Sequence, residues 1–325
     1  MKKHLLVLSK LAFLLFLAGM PGSVQAAGKK VLCTTFPLLQ FTRNVIEGVE
    51  GLEVDLMIPA RLGCPHNYTL TPGDMRKLAA ADILVINGLG MEEFMGAPLN
   101  SANPGIMVID SSRGIEALLE YTHGESGDPG EALEAGHGHE HGDEGARHSH
   151  EGINPHLFAS PAMAVEICRR ITEGLALACP EDAVAIRENG MKYSGLLERL
   201  AGEFSGLGAR LLNNRIVTQH GAFDYLARDA GLEIVAVISA QGGDSLSAAG
   251  LISLVRTIRE RKVGAVFTEP QYPGRIGATV AAEAGVPSGE LDPVASGPAD
   301  APLDYYQIVM RENIQVLREL LGVRE

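Results

Sequence analysis

Basic residues are in short supply: 27 Lys and Arg face 40 Asp and Glu, leaving a formal net charge of −13 at pH 7. Without a basic excess there is no electrostatic footprint for nucleic acid, and the balance leans toward a cationic ligand. Cysteine is scarce as well. The four present, Cys33, Cys64, Cys168 and Cys179, include no CxxC pair, which argues against a cysteine-built zinc site. They allow three disulfide pairings, between which sequence does not choose. No stretch beyond the N-terminal region reaches 18 uncharged apolar residues, so no membrane-spanning helix is expected there. The chain also lacks HExxH, GxSxG and a second carboxylate cluster, which removes the usual marks of a zinc peptidase or a serine hydrolase.

What is present begins with an export signal. Lys2, Lys3 and Lys10 make a basic start, Leu11–Leu17 an apolar run, Pro21-Gly22 a break and Val24-Gln25-Ala26 a small-residue cleavage site. No cysteine follows the run at the cleavage point, so no lipid anchor is expected. Residues 1–26 are read as the signal and the remainder as an exported chain bound for an oxidising compartment. Its length suggests two domains, and a hydrophobic fraction of 46% is ample for two cores.

Short β-branched runs alternate with helical spacing along both halves. Lys30–Phe36, Glu53–Ile58, Asp82–Asn87 and Ile106–Asp110 read as strands, with helices over Leu39–Ile46 and Pro72–Ala81. Thr71-Pro72 opens the second helix as cap and first turn, and Ser160-Pro161 opens another that runs to about Leu177. Glu181–Leu207 is the longest periodic segment and contains no proline, so one long helix is expected. Strands then resume at Arg215–Gln219, Glu233–Ile238, Ala265–Glu269 and just before Asp292. Helices fall at Phe223–Ala230, Ser247–Arg261, Arg275–Ala284 and Tyr305–Leu321. The fold class is therefore α/β: two lobes, each a mostly parallel sheet flanked by helices, joined by one long rigid helix. The expected division is 27–180 for the first lobe, 181–208 for the linking helix and 209–325 for the second lobe.

The first lobe carries a polar insertion over 123–152, with His137, His139, His141, His148 and His150 set among Gly, Ala, Asp and Glu. Such a segment has almost nothing apolar to bury and cannot build a core. Its imidazoles and carboxylates suit Zn²⁺ or Ni²⁺, so it reads as an auxiliary, low-affinity metal tract. Outside the signal and the tract only His66, His156 and His220 remain. His66 follows a strand, His220 directly follows Arg215–Gln219 with Gly221 allowing close approach, and His156 lies between the tract and the Ser160 helix. Asp292 ends a strand-like run before Pro293. In open α/β sheets ligands bind beyond the carboxyl ends of strands, so these four are the candidate metal ligands. Glu269, also at a strand end, is the candidate partner that orients an imidazole. Three imidazoles and one carboxylate form a tetrahedral set suited to Zn²⁺. A catalytic zinc with three histidines, an open position and Glu269 as base is the competing enzyme reading. A metal buffer or surface adhesin is a third class.

Five segments in order, His66-x-Tyr68-x-x-Thr71-Pro72-x-Asp74, Asn154-Pro155-His156, Gln219-His220-x-Ala222-Phe223-x-Tyr225, Glu269-Pro270-Gln271 and Leu291-Asp292-Pro293, resemble the solute-binding proteins of ABC-type zinc and manganese importers, zinc branch. The resemblance implies a non-enzymatic protein that captures Zn²⁺ in the periplasm and delivers it to an ABC transporter permease. It also implies metal binding by the three histidines and the aspartate, with no stable membrane insertion. A monomer is expected. Manganese or another divalent ion is the alternative cargo, but the manganese branch has a carboxylate where this chain has His220. Thr69-Leu70 replaces the family's common Glu-Pro, and Leu157-Phe158-Ala159-Ser160-Pro161 shifts the family pattern after the second histidine. Cys64 stands two residues before a ligand position, where it either adds a thiolate donor or pairs with Cys33. Ligation needs neutral imidazoles, so affinity is expected to fall below about pH 6.5.

Overall fold

The computed structural model describes residues 28–65, 68–121, 152–238 and 246–324. The expected signal over residues 1–26, His66 and the five tract histidines lie outside the described residues. The first sheet contains β1 (Lys29–Cys33), β2 (Leu52–Leu56), β3 (Ile83–Ile86) and β4 (Met107–Asp110), paired in parallel in the order β2-β1-β3-β4. The second contains β5 (Arg215–Thr218), β6 (Glu233–Val237), β7 (Ala265–Thr268) and β8 (Ser288–Glu290), also parallel, in the order β6-β5-β7-β8. Inner strands such as β3 (Ile-Leu-Val-Ile) and β7 (Ala-Val-Phe-Thr) are nearly continuous apolar runs, as a sheet covered on both faces requires. The edge strand β2 alternates Leu-Glu-Val-Asp-Leu and stays partly exposed.

Helices α1 (Phe36–Val45), α2 (Pro72–Ala80) and the short α3 (Gly96–Ala102) belong to the first lobe. The strand expected to run to Phe36 stops at Cys33, because α1 begins at Phe36, with Thr35 extended in the position before it and Pro37 in its first turn. Thr71 and Asp74 form the capping box at α2: the Thr71 hydroxyl accepts from Asp74 N, and Asp74 Oδ2 accepts from Thr71 N at 2.7 Å. Ser160 plays no such part at α4 (Pro161–Ala178). It makes no side-chain cap and instead donates to Asp229 Oδ2 at 2.5 Å, a partner over 60 residues away that short-range reading does not see.

Residues 183–204 form one continuous helix, α5 (Ala183–Phe204), which ends before the left-handed Gly206 and the single turn α6 (Leu207–Arg210). The second lobe adds α7 (Asp224–Ala230), α8 (Ala248–Arg261), α9 (Arg275–Ala284) and the C-terminal α10 (Tyr305–Leu321). One apolar core runs from Val31 and Phe41 through Ile171, Leu197 and Phe204 to Ile216, Phe267, Tyr306 and Leu317, so the two sheets share a common interior. Truncating a fully buried ring such as Phe41 to alanine costs about 3–5 kcal/mol. Polar bonds reinforce this shared interior. Tyr306 donates to Phe158 O at 2.8 Å, Tyr225 to Asn154 O at 2.8 Å, and Arg228 Nη1 to Ala117 O at 2.7 Å. Among the described residues no helix is long and apolar enough to cross a membrane.

Candidate metal centre

Each sheet reverses its direction of growth beside its first strand, between β1 and β3 and between β5 and β7. The carboxyl ends at such a switch point splay their loops apart and leave a crevice. In the second lobe, His220 lies two residues beyond β5 and Glu269 one residue beyond β7, so neighbouring strands set them side by side. His220 Nδ1 and Glu269 Oε1 are 2.5 Å apart, and both side chains are fully buried. Gln271 Nε2 holds the other carboxylate oxygen at 2.6 Å.

His156 reaches the same place from the first lobe. Its loop is held by Asn87, just past β3, whose amide donates to Pro155 O at 2.9 Å. Asn154 fixes the ring itself. Its amide nitrogen donates to Gly221 O at 2.7 Å and Asp224 Oδ2 at 2.9 Å, which orients the carbonyl oxygen toward His156. That oxygen accepts from His156 N at 2.9 Å and lies 2.8 Å from His156 Nδ1. A carbonyl oxygen can only accept, so Nδ1 carries the proton and Nε2 keeps its lone pair. The Glu269 carboxylate imposes the same tautomer on neutral His220. Both rings are thus set as Nε2 donors.

The two rings stand 5.1 Å apart, centroid to centroid, at 86°. Cys64 completes the cluster: its sulfur and a nitrogen of each histidine all lie within 4.8 Å of one another. The Cys64 thiol and the His220 ring lie close enough to shift each other's proton affinity. All four cysteines are free thiols, so no Cys33–Cys64 disulfide forms. Tyr121 and Phe158 wall His156 at ring separations of 6.2 and 5.8 Å, and Tyr272 lies 5.4 Å from the His220 ring. A Cβ at Gly221 would meet the Tyr121 ring at 3.0 Å, which explains why this turn is a glycine.

Asp292 stands outside that cluster. Its Oδ1 accepts from Val294 N at 2.7 Å and its backbone N donates to Asn313 Oδ1 at 2.9 Å. Burial pushes its carboxyl up to about 7, an effect the Val294 N–H only partly offsets. Burial alone would lower the His220 pKa, but the adjacent Glu269 carboxylate and Cys64 hold it well above the ordinary imidazole value. Burial likewise raises the Cys64 thiol, and the neighbouring His220 pulls the other way.

Residue-by-residue reading singled out His156, His220 and Glu269, and the structure brings all three into contact or near contact. It gave no role to Asn154, Asn87 or Gln271. Asn154 was detectable, since an Asn two residues before a histidine can bond that residue's backbone locally. Asn87 and Gln271 act across the fold and leave no local signal.

A family model described as "Zinc-uptake complex component A periplasmic" (ZnuA) matches residues 31–320. The chain is 29% identical over 322 residues to the zinc-binding lipoprotein AdcA of Streptococcus pneumoniae, a match covering 98% of this chain and 61% of that protein. It therefore spans about three fifths of the AdcA relatives' length. Against the high-affinity zinc uptake system protein ZnuA of Bacillus subtilis it is 28% identical over 309 residues, covering 93% of this chain and 91% of the other. The structure of FpvC from Pseudomonas aeruginosa in complex with Ni²⁺ superposes with a TM-score of 0.72 at 25% identity, over 92% of this chain and 99% of that one. A crystal structure of ZnuA gives the same TM-score at 24% identity and shares the fold, over 91% of this chain and all of the other. The chain belongs to the ZnuA family of zinc-uptake complex components.

Proposed function

We propose that the chain captures Zn²⁺ in the periplasm and hands it to an ABC-type membrane permease. The observation that carries this is the pair of buried imidazoles, His156 and His220, held from opposite lobes with each Nδ1 against its brace and the ring centroids 5.1 Å apart. Imidazole nitrogens suit Zn²⁺ and Ni²⁺ better than Mn²⁺, which prefers oxygen. The zinc-binding and zinc-uptake names of the relatives agree with that preference. His66 is the donor proposed as the third imidazole, an anionic donor completes the set, and the tract with His137, His139, His141, His148 and His150 gathers zinc weakly before the central site holds it.

Binding is favoured over catalysis by the state of Glu269. A general base needs a free carboxylate oxygen near the attacking water. Here one oxygen faces His220 Nδ1 and the other accepts from Gln271. The shared core and the bonds of Tyr306, Tyr225 and Arg228 across the lobes favour capture with small lobe movement.

Growth of a deletion strain in zinc-chelated medium tests the proposal. The wild-type chain should restore growth, and a His156→Ala/His220→Ala variant of normal abundance should not. Equal rescue by both would remove the site from zinc uptake.

A further inference from the structure

Cys64 is unlike the other three cysteines. Cys33, Cys168 and Cys179 are fully buried and face Thr42, the Gly190 carbonyl and Lys29 respectively. Cys64 alone is only half-buried and sits with two histidines in a group of metal-ligating spacing. Its position is built rather than incidental. Gly63 adopts φ +74°, and a Cβ there would come within 2.9 Å of Gln271 Cγ, so the turn presses directly on the second lobe. Gln271 in turn holds Glu269, which holds His220. One chain of contacts therefore places the sulfur and orients the imidazole.

The anionic donor expected for this site was Asp292. That carboxylate lies outside the cluster and commits Oδ1 to Val294 N, whereas the Cys64 sulfur is already within ligand spacing of both rings. We propose that Cys64, rather than Asp292, is the anionic ligand of the captured ion, bonding through Sγ beside His156 and His220. The thiol proton leaves to solvent as the sulfur–metal bond forms, so charge and atoms balance. This rests on the reading of the cluster as the zinc site. A thiolate makes the donor set softer, favouring Zn²⁺ and disfavouring Mn²⁺ more strongly than nitrogen and oxygen donors do.

Co²⁺ is the probe, because thiolate-bound Co²⁺ gives an intense near-ultraviolet charge-transfer band and imidazole or carboxylate does not. One equivalent of Co²⁺ added to the wild-type chain should produce the band, and one equivalent of Zn²⁺ should abolish it. Cys64→Ser should lose the band and bind Zn²⁺ at least about tenfold more weakly, with a smaller change for Mn²⁺. Alkylation gives a second reading on the unaltered protein: iodoacetamide should label Cys64 in the metal-free chain, and Zn²⁺ should block it. Tight, His220-dependent Co²⁺ binding without the band would overturn the thiolate ligand and leave the zinc site standing. So would Asp292→Asn weakening Zn²⁺ while Cys64→Ser does not. Binding indifferent to His156→Ala and His220→Ala would instead sink the site itself.

Discussion

The carboxyl edges of the two sheets supply the site in different ways. The second sheet delivers His220 and Glu269 straight from adjacent strands, and braces the imidazole with a buried carboxylate. The first sheet delivers His156 from a loop pinned by Asn87, and braces it with a neutral amide. Both braces fix the tautomer, but only the carboxylate makes the ring more basic. The second lobe thus provides a strong, proton-hungry donor, and the first a donor that is merely well aimed.

The difference can be broken most severely at its stronger side. His220→Ala should abolish tight zinc binding in calorimetry. It should also destabilise the metal-free chain, because Glu269 is left buried without its imidazole. Glu269→Gln should weaken zinc by about 10–100-fold, more than Asn154→Ala does, and comparing the two variants by competition with a chromophoric chelator measures the contrast directly. If Asn154→Ala proves the costlier change, the carboxylate is not the dominant brace.

Acidity sharpens the same contrast. A proton on His220 must leave before zinc binds, and its folded pKa lies above the ordinary imidazole value. Apparent affinity should therefore begin to fall above pH 6.5 as the solution is acidified, by up to about tenfold per pH unit for one linked proton. In Glu269→Gln the fall should move to lower pH. The stability of the metal-free chain has the matching sign. The raised His220 pKa contributes stability that is full below about pH 6.5 and lost as pH rises through the folded value. Asp292 and Glu92, each pushed up to about 7 by burial, act in the same sense: their contributions are lost as pH climbs from the ordinary carboxyl range through 7. Zinc takes the place of the His220 proton, so the rise in Tm on adding zinc should be larger at pH 8 than at pH 6. The smallest effect is expected from the histidine tract. Deleting residues 123–152 should lower zinc stoichiometry and leave one tight site, as titration of the two chains would show.

Much of this architecture is legible in the chain itself. Alternating β-branched runs and helical spacing gave the two parallel sheets, and short loops after β5 and β7 gave His220 and Glu269 their positions. Legibility failed where a side chain answers a distant partner. Ser160 looks like a cap but bonds Asp229, and for Cys64 the sequence leaves a thiolate donor and a disulfide with Cys33 equally open, until the fold sets it beside His220. The stretch between β3 and β4 was unassigned because α3 has only seven residues, too few for a helical period to emerge.

Zinc-edge X-ray absorption on the one-to-one complex, with residues 123–152 deleted from both the wild type and His156→Ala/His220→Ala so that the tract adds no imidazole, is the most direct test of the buried site. The account predicts imidazole nitrogens at about 2.0–2.1 Å in the wild type, and no ordered complex in the double variant at equal zinc. An unchanged imidazole shell in the double variant would contradict it.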